Sequence, residues 1–196
     1  MATEIELKAW VMDPGELKNK LSKLAVFKGT FEKNDTFFRP LNPAEITGSP
    51  SYGVRIRKEA AEDPRGILRE SIYVTYKSKK IQNGIEINDE REFQVSQATA
   101  FEEFLIHLGF KESIKKRKKG SSFDYNGMTV ELTEVEGLGW FVELEILLPE
   151  KENKNTENEM KKLLCFLDLL EIPRGSIESR SYTAMLAERK PFVSSE

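Results

Sequence analysis

Along most of the chain apolar and polar residues alternate one for one, the period of a strand with unlike faces. In Glu4-Ile5-Glu6-Leu7-Lys8 the charges share one face and Ile5, Leu7 and Ala9 the other, which predicts a strand over about residues 3 to 12. Asp13-Pro14-Gly15-Glu16 reads as an N-cap followed by proline at the first helical position, and Leu17, Leu21 and Leu24 form the stripe of a helix ending near Ala25. Val26 to Arg39 is β-rich with a bend at Asn34-Asp35, and Pro40 to Ser51, with its prolines, is a loop. Alternation resumes in Tyr52 to Glu59, Leu68 to Lys79 and Ile85 to Val95, the last two joined by an Asn83-Gly84 hairpin turn. Phe101, Phe104, Leu105 and Leu108 predict a helix over 97 to 108, stopped by Gly109. Further strands are expected at Lys115 to Lys119, at Met128 to Glu136 after an Asn126-Gly127 turn, and at Trp140 to Leu148 beyond the Gly137-Leu138-Gly139 break. Thr156 and Glu159 open a third amphipathic helix, a short helical segment runs from Ser181-Tyr182 to about Glu188, and Pro191 to Glu196 is a tail.

The polar faces of these strands carry charge of both signs, where a single strand would ordinarily present a solvated face. Glu86, Asn88, Glu90 and Glu92 share a face, as do Arg55 and Arg57. In the basic run, Lys115, Arg117 and Lys119 point one way and Lys116 and Lys118 the other, so half can line a cavity while half is solvated. Eight or so antiparallel strands remove both sheet edges by closing. The helices need an apolar surface, which the apolar strand faces provide if they point outward. The expected fold is α+β: a closed antiparallel eight-stranded β-barrel, a tunnel with a charged interior, flanked by amphipathic helices, the alternative being an open sheet with its charged face in solvent, which is less consistent with so many facing Arg and Glu residues. Residues 1–190 are expected to form a single domain and 191–196 the tail.

At 196 residues and 39% hydrophobic content the chain suits one core, and a net charge of -3 speaks against a generic nucleic-acid binder. The single Cys165 excludes an internal disulfide and a Cys-rich zinc site, and its apolar neighbours suggest core packing. His107 has no second imidazole to share a metal and reads as structural. No leader or membrane-length apolar run is apparent, so a soluble, cytoplasmic protein is expected. Carboxylates without His or Cys ligands suit a hard cation, Mg²⁺ or Mn²⁺, while Arg forks and Lys point charges suit phosphate oxygens. There is no Gly-x-x-x-x-Gly-Lys phosphate loop.

The ordered set of motifs resembles the CYTH family, the triphosphate tunnel metalloenzymes that include class IV adenylyl cyclases and thiamine triphosphatases. It comprises Glu4-x-Glu6-x-Lys8, Asp35 before an aromatic pair, Arg55-x-Arg57, Thr75-Tyr76-Lys77, Glu90 with Glu92, Lys115 with Arg117, Val135 through Glu145, and Ser181-Tyr182. The resemblance implies that Glu4, Glu6, Glu143 and Glu145 are the metal-binding and catalytic acids. It implies a phosphate wall of Lys8, Arg55, Arg57, Lys77, Lys115 and Arg117, with Arg180 beside Ser181-Tyr182, and further tunnel acids Glu90, Glu92 and Glu131. Two positions depart from the pattern. Thr133 stands where the family usually has Asp, leaving Glu131 to substitute, and only Met1-Ala2-Thr3 precede Glu4 where some class IV cyclases carry His-Phe.

The implied activities are a class IV-like cyclase, turning ATP into cyclic AMP and pyrophosphate, and a triphosphatase acting on tripolyphosphate or thiamine triphosphate. A non-catalytic polyphosphate-binding module is the reading from another class. Cyclase is preferred, with the Gly137–Gly139 break and the Pro40 to Ser51 loop forming a mouth where Trp140 or Phe37 stacks on adenine. No nucleic-acid or membrane partner is expected, and homodimerisation is left open.

Overall fold

The computed structural model describes residues 2–42, 53–149 and 156–189. Among them the elements run β1 (Ala2–Trp10), α1 (Pro14–Leu24), β2 (Val26–Pro40), β3 (Val54–Glu62), β4 (Leu68–Gln82), β5 (Ile85–Gln94), α2 (Ala98–His107), β6 (Phe110–Tyr125), β7 (Met128–Val135), β8 (Gly139–Pro149), α3 (Thr156–Leu169) and α4 (Tyr182–Arg189). Most of the loop expected at Pro40 to Ser51, and the tail, lie outside the described residues.

The local signals act as their chemistry dictates. Asp13 caps α1, its Oδ1 accepting from the Glu16 N–H at 2.9 Å, with Pro14 at the first turn. Asn83 and Gly84, and again Asn126 and Gly127, take positive φ (52° and 79°, 52° and 83°), the backbone that a two-residue hairpin turn requires. β2 differs from expectation. It runs unbroken through Asn34-Asp35, and its irregularities fall at Phe27/Gly29 and Phe37/Phe38. β6 is longer than the basic run it contains, because pairing with β2 extends from Phe110 to Asp124.

All neighbouring strands are antiparallel, in the order β1-β5-β4-β3-β2-β6-β7-β8, and β8 pairs back onto β1, making a closed barrel. The outer faces are the apolar ones. Ile5, Leu7, Val130, Leu132, Val142 and Leu144 pack under α1 (Leu17, Leu21) and α3 (Met160, Leu163, Phe166, Leu167), while Phe38, Ile56 and Val74 pack under α2 through Ala98 and Leu105. Each such fully buried side chain is worth about 1.5–3 kcal/mol. With the core outside the barrel, the inner faces are left to the charged residues.

A third cluster differs in position. Trp10, Val135 and Phe141 share the inward parity of Lys8, Glu131 and Glu143, yet they are apolar and pack with Leu138, Tyr182, Met185 and Leu186. α4 thus plugs the barrel where β1, β7 and β8 meet. The segment before it is bound to the barrel by the Glu178 N–H donating to the Lys8 carbonyl at 2.9 Å and by the Trp10 indole donating to Glu178.

Cys165 and His107 are both exposed, contrary to the core role expected of Cys165. Cys165 lies on the solvent side of α3, and the His107 ring is bonded to the Glu103 carbonyl one turn back. No helix among the described residues is long and apolar enough to cross a membrane.

Candidate functional site

A cavity of about 460 Å³ fills the barrel. Strand parity decides its lining. β1 contributes Glu4, Glu6 and Lys8, β8 contributes Glu143, Glu145 and Leu147, and β7 contributes Thr129 and Glu131. The rest of the wall is made by Lys33 and Phe37 of β2 and Arg55 and Arg57 of β3 on the far side, and by Glu86 and Glu92 of β5 and Lys116 and Lys118 of β6 in between. Ser181, Tyr182 and Thr183, where α4 begins, close one wall.

The charges are sorted. Asp35 receives a two-pronged Arg57 fork (Nε to Oδ1 2.7 Å, Nη2 to Oδ2 3.0 Å) and the Lys116 ammonium at 2.9 Å. Burial works to raise the Asp35 carboxyl, but Lys116 and Arg57 outweigh it and hold the group well below the carboxylate range. Two cations share this one anion, so the cluster keeps a positive surplus. Burial, with only Asp35 to offset it and Lys118, Arg57 and Arg55 adding repulsion, pushes Lys116 down to about 8.

Lys118, two residues along the same face, is in the reverse situation. It donates to Glu131 at 3.0 Å and to both oxygens of Glu143 at 2.9 and 3.0 Å. Burial opposes its charge, yet the two carboxylates raise its pKa above the ordinary lysine value. Lys33 adds a second cation to Glu131 at 2.6 Å, and Lys8 pairs with Glu86 at 3.0 Å. Buried pairs of this kind cost several kcal/mol of desolvation per ion and are held by their mutual attraction.

Glu6 and Glu145 stand apart from this matching. They face each other in register across β1 and β8, and among the described residues neither has a hydrogen-bond or ion-pair partner. Burial, then the Glu6 and Glu131 carboxylates, push Glu145 up to about 7. Glu4, on the same face, accepts from Asn88 at 3.1 Å. Two unpartnered carboxylates in a cavity that also holds the Arg57 and Lys116 cations fit a hard divalent cation, which takes one or two carboxylates and completes its shell with water and phosphate oxygens. Among the described residues no group of three or more acids, histidines or cysteines is gathered as a ready-made metal cage.

The expected site residues are distributed as follows. Glu4, Glu6, Lys8, Arg55, Arg57, Glu92, Glu131, Glu143 and Glu145 line the cavity. The four acids assigned to the metal do not converge, because Lys118 takes Glu143 and Asn88 holds Glu4. Lys115 and Arg117 are outside the barrel, a correction to the expected phosphate wall. Lys115 pairs with Glu112, and Arg117, 62% exposed, reaches Glu32 and Glu136. The reason is register: Lys116 and Lys118 lie opposite the inward Asp35 and Lys33 of β2, so their odd-numbered neighbours must point out.

Arg180 is likewise outside the cavity lining, held by Glu178 at 2.6 Å and Glu188 at 2.9 Å, where it fastens the start of α4. The side chains of Lys77 and Glu90 lie outside the described part of the structure. Trp140 packs against the outer core, whereas Phe37 lines the cavity. Gly137-Leu138-Gly139 is covered by α4, with Leu138 in the plug and Arg189 donating to the Gly137 carbonyl.

Lys33, Glu86, Lys116, Lys118 and Tyr182 join the lining, and Asp35 sits behind it, without having been assigned there. The spacing of Phe31, Lys33, Asp35 and Phe37 was the available signal for β2.

The sequence matches the CYTH domain family over residues 2–182. It is 25% identical over 181 residues, 91% of this chain and 95% of the other, to a Methanocaldococcus jannaschii protein named "Putative adenylate cyclase MJ0240". Among solved structures it is similar to the PH1819 protein of Pyrococcus horikoshii (28% identity, TM-score 0.80, covering 95% of this chain and 99% of that one). It also shares its fold with HpAC1 from Hippeastrum, whose structure is described as revealing a dominant triphosphatase activity (19% identity, TM-score 0.63, 97% of each chain).

Proposed function

The chain belongs to the CYTH domain family, and on that premise we propose that it is a divalent-cation-dependent enzyme that cleaves a triphosphate inside the barrel. One observation carries the reading: within a single cavity the facing, unpartnered Glu6 and Glu145 lie across from a surplus of positive charge where Arg57 and Lys116 share the one Asp35 carboxylate, next to the Arg55–Glu92 pair. An anion-binding module would gain nothing from two buried carboxylates that repel each other.

Arg57, fixed by Asp35 through Nε and one terminal nitrogen, turns the rest of its fork to the cavity, so its direction is set before substrate arrives. Arg55 is steadied in the same way by donating to Thr75 at 2.9 Å, whose own hydroxyl donates to Glu92 at 2.8 Å. Lys116 adds a point charge. Lys118 is spent on Glu131 and Glu143 and serves to hold the acidic wall in place. Glu6 and Glu145 would hold Mg²⁺ or Mn²⁺, and such an ion would supply charge neutralisation at phosphate oxygens. Phosphoryl transfer needs positioning and charge stabilisation more than covalent chemistry, so the lack of a Ser-His or Cys-His pair is no obstacle.

Of the two reactions, hydrolysis is the better supported. Two features assigned to nucleoside recognition fall away from the cavity, since Trp140 packs on the outer core and the Gly137–Gly139 turn is covered by α4. Cyclisation of ATP is the second reading, favoured by Phe37 in the cavity wall and by the name of the Methanocaldococcus relative. Incubation with tripolyphosphate, thiamine triphosphate or ATP, each with Mg²⁺ or Mn²⁺, followed by anion-exchange chromatography, tests both. Diphosphate with orthophosphate is the expected product pair. Cyclic AMP with pyrophosphate would move the protein to the cyclase reading, and absence of turnover on all three would sink the enzyme assignment.

A further inference from the structure

Two pairs of carboxylates oppose each other on the acidic wall. Glu6 faces Glu145 across β1 and β8, and Glu131 faces Glu143 across β7 and β8. All four line the one cavity, and like charges directly opposite repel. Only the second pair is bridged. The Lys118 ammonium donates to Glu131 Oε2 at 3.0 Å and to Glu143 Oε1 and Oε2 at 2.9 and 3.0 Å, so each of its three donors ends on a carboxylate oxygen. Lys33 takes the other Glu131 oxygen at 2.6 Å. The buried Phe31 ring has its centroid 5.7 Å from the Lys118 ammonium and 4.3 Å from that of Lys33, and its face offers no oxygen to a hard cation. Thr133, the next residue of inward parity on β7, is fully buried and neutral where an acid would have added a third carboxylate.

We propose that Lys118 is a resident cation, its ammonium filling between Glu131 and Glu143 the place a metal ion would take, so that the substrate-free barrel binds one divalent cation and binds it at Glu6 and Glu145. The inference rests on the functional reading above and fixes the number and position of the ion in it. An ammonium with all three donors engaged satisfies the pair it bridges, as a dication would match the two charges of Glu6 and Glu145. A metal ion entering between Glu131 and Glu143 would take the anions away from a buried lysine, which is the costly case for a buried charge. At Glu6 and Glu145 there is no ammonium to displace.

Mn²⁺ titration of the substrate-free full chain, with bound ion counted by loss of the free-ion signal in electron paramagnetic resonance, should give one ion per chain. Lys118→Met keeps most of the stem and removes the charge, so the freed Glu131–Glu143 pair should take a second ion and the count should rise to two. Without cation the variant should melt below wild type, and Mn²⁺ should restore it, which a loss of packing alone would not allow. Lys118→Gln, which keeps a neutral donor toward the same acids, carries the same expectation where Lys118→Met does not fold. Two ions on the wild type would overturn the inference alone, and so would one ion on wild type and folded variant alike. No ion on the wild type would overturn the cation-dependent reading, and this inference with it.

Discussion

Lys116 and Lys118, two residues apart on one face of β6, occupy opposite electrostatic positions. Lys118 is enclosed by Glu131 and Glu143 and held above the usual lysine range, whereas Lys116 shares the single Asp35 carboxylate with Arg57 and is pushed down to about 8. A charge already matched has little left for a ligand. Lys116 is thus the lysine of the pair that a phosphate would engage.

The first prediction concerns pH. Lys116 carries its charge below about 8 and loses it above, so tripolyphosphate affinity in metal-free buffer should fall as pH rises through that value, the bound anion shifting the midpoint upward. Stability moves the other way. Between about 8 and the ordinary lysine value of 10.5 the unfolded chain binds the extra proton, so this group's contribution to stability rises with pH. In Lys116→Met both slopes should flatten, as calorimetric titration and thermal melts across this range would reveal; unchanged slopes would count against the assignment.

The outward and inward halves of the basic run should separate on substitution. Lys116→Met should weaken tripolyphosphate binding by about 2 kcal/mol, roughly 30-fold, with Arg57 remaining to neutralise Asp35. Lys115→Met and Arg117→Met, whose charges are exposed outside the barrel, should change it by less than about 0.5 kcal/mol. Parallel binding isotherms decide the matter, and a large loss in Arg117→Met would show that the outer surface takes part.

Glu145→Gln removes one of two carboxylates that repel each other. Without added cation its melting temperature should exceed that of wild type at neutral and alkaline pH. Mn²⁺ should raise the wild-type melting temperature by mass action and leave the variant's unchanged. Glu143→Gln should behave differently, lowering stability because Lys118 loses one of its two anions. An equal Mn²⁺ response in wild type and Glu145→Gln would remove Glu145 from the cation site.

Gly120 tests the barrel itself. A Cβ there would stand 2.2 Å from the Leu132 carbonyl oxygen, a backbone atom of the paired β7 that cannot step aside. Gly120→Ala should cost about 2 kcal/mol or more, read as a drop in the midpoint of chemical unfolding. A variant as stable as wild type would mean that the two strands separate locally at little cost.

The sequence by itself determined the alternation of Ile5, Leu7 and Ala9 with Glu4, Glu6 and Lys8, the capping of α1 by Asp13 and the two Asn-Gly hairpins. These depend on a residue and its near neighbours, through side-chain period and permitted backbone angles, so they are legible without the fold. It also determined that charged faces of both signs had to meet. Which half of the run from Lys115 to Lys119 faces inward was decided only by the tertiary structure, because a period of two divides a strand into faces without saying which is inside. The register of β6 on β2, with Asp35 opposite Lys116, makes that choice. The same holds for the four acids expected at one cation, since the reach of Lys118 to Glu143 crosses from β6 to β8. The positions of Arg180 and Tyr182 depend on how α4 seats in the end of the barrel. That packing joins residues of β1, β7 and β8 far apart in the chain, and no local pattern encodes it.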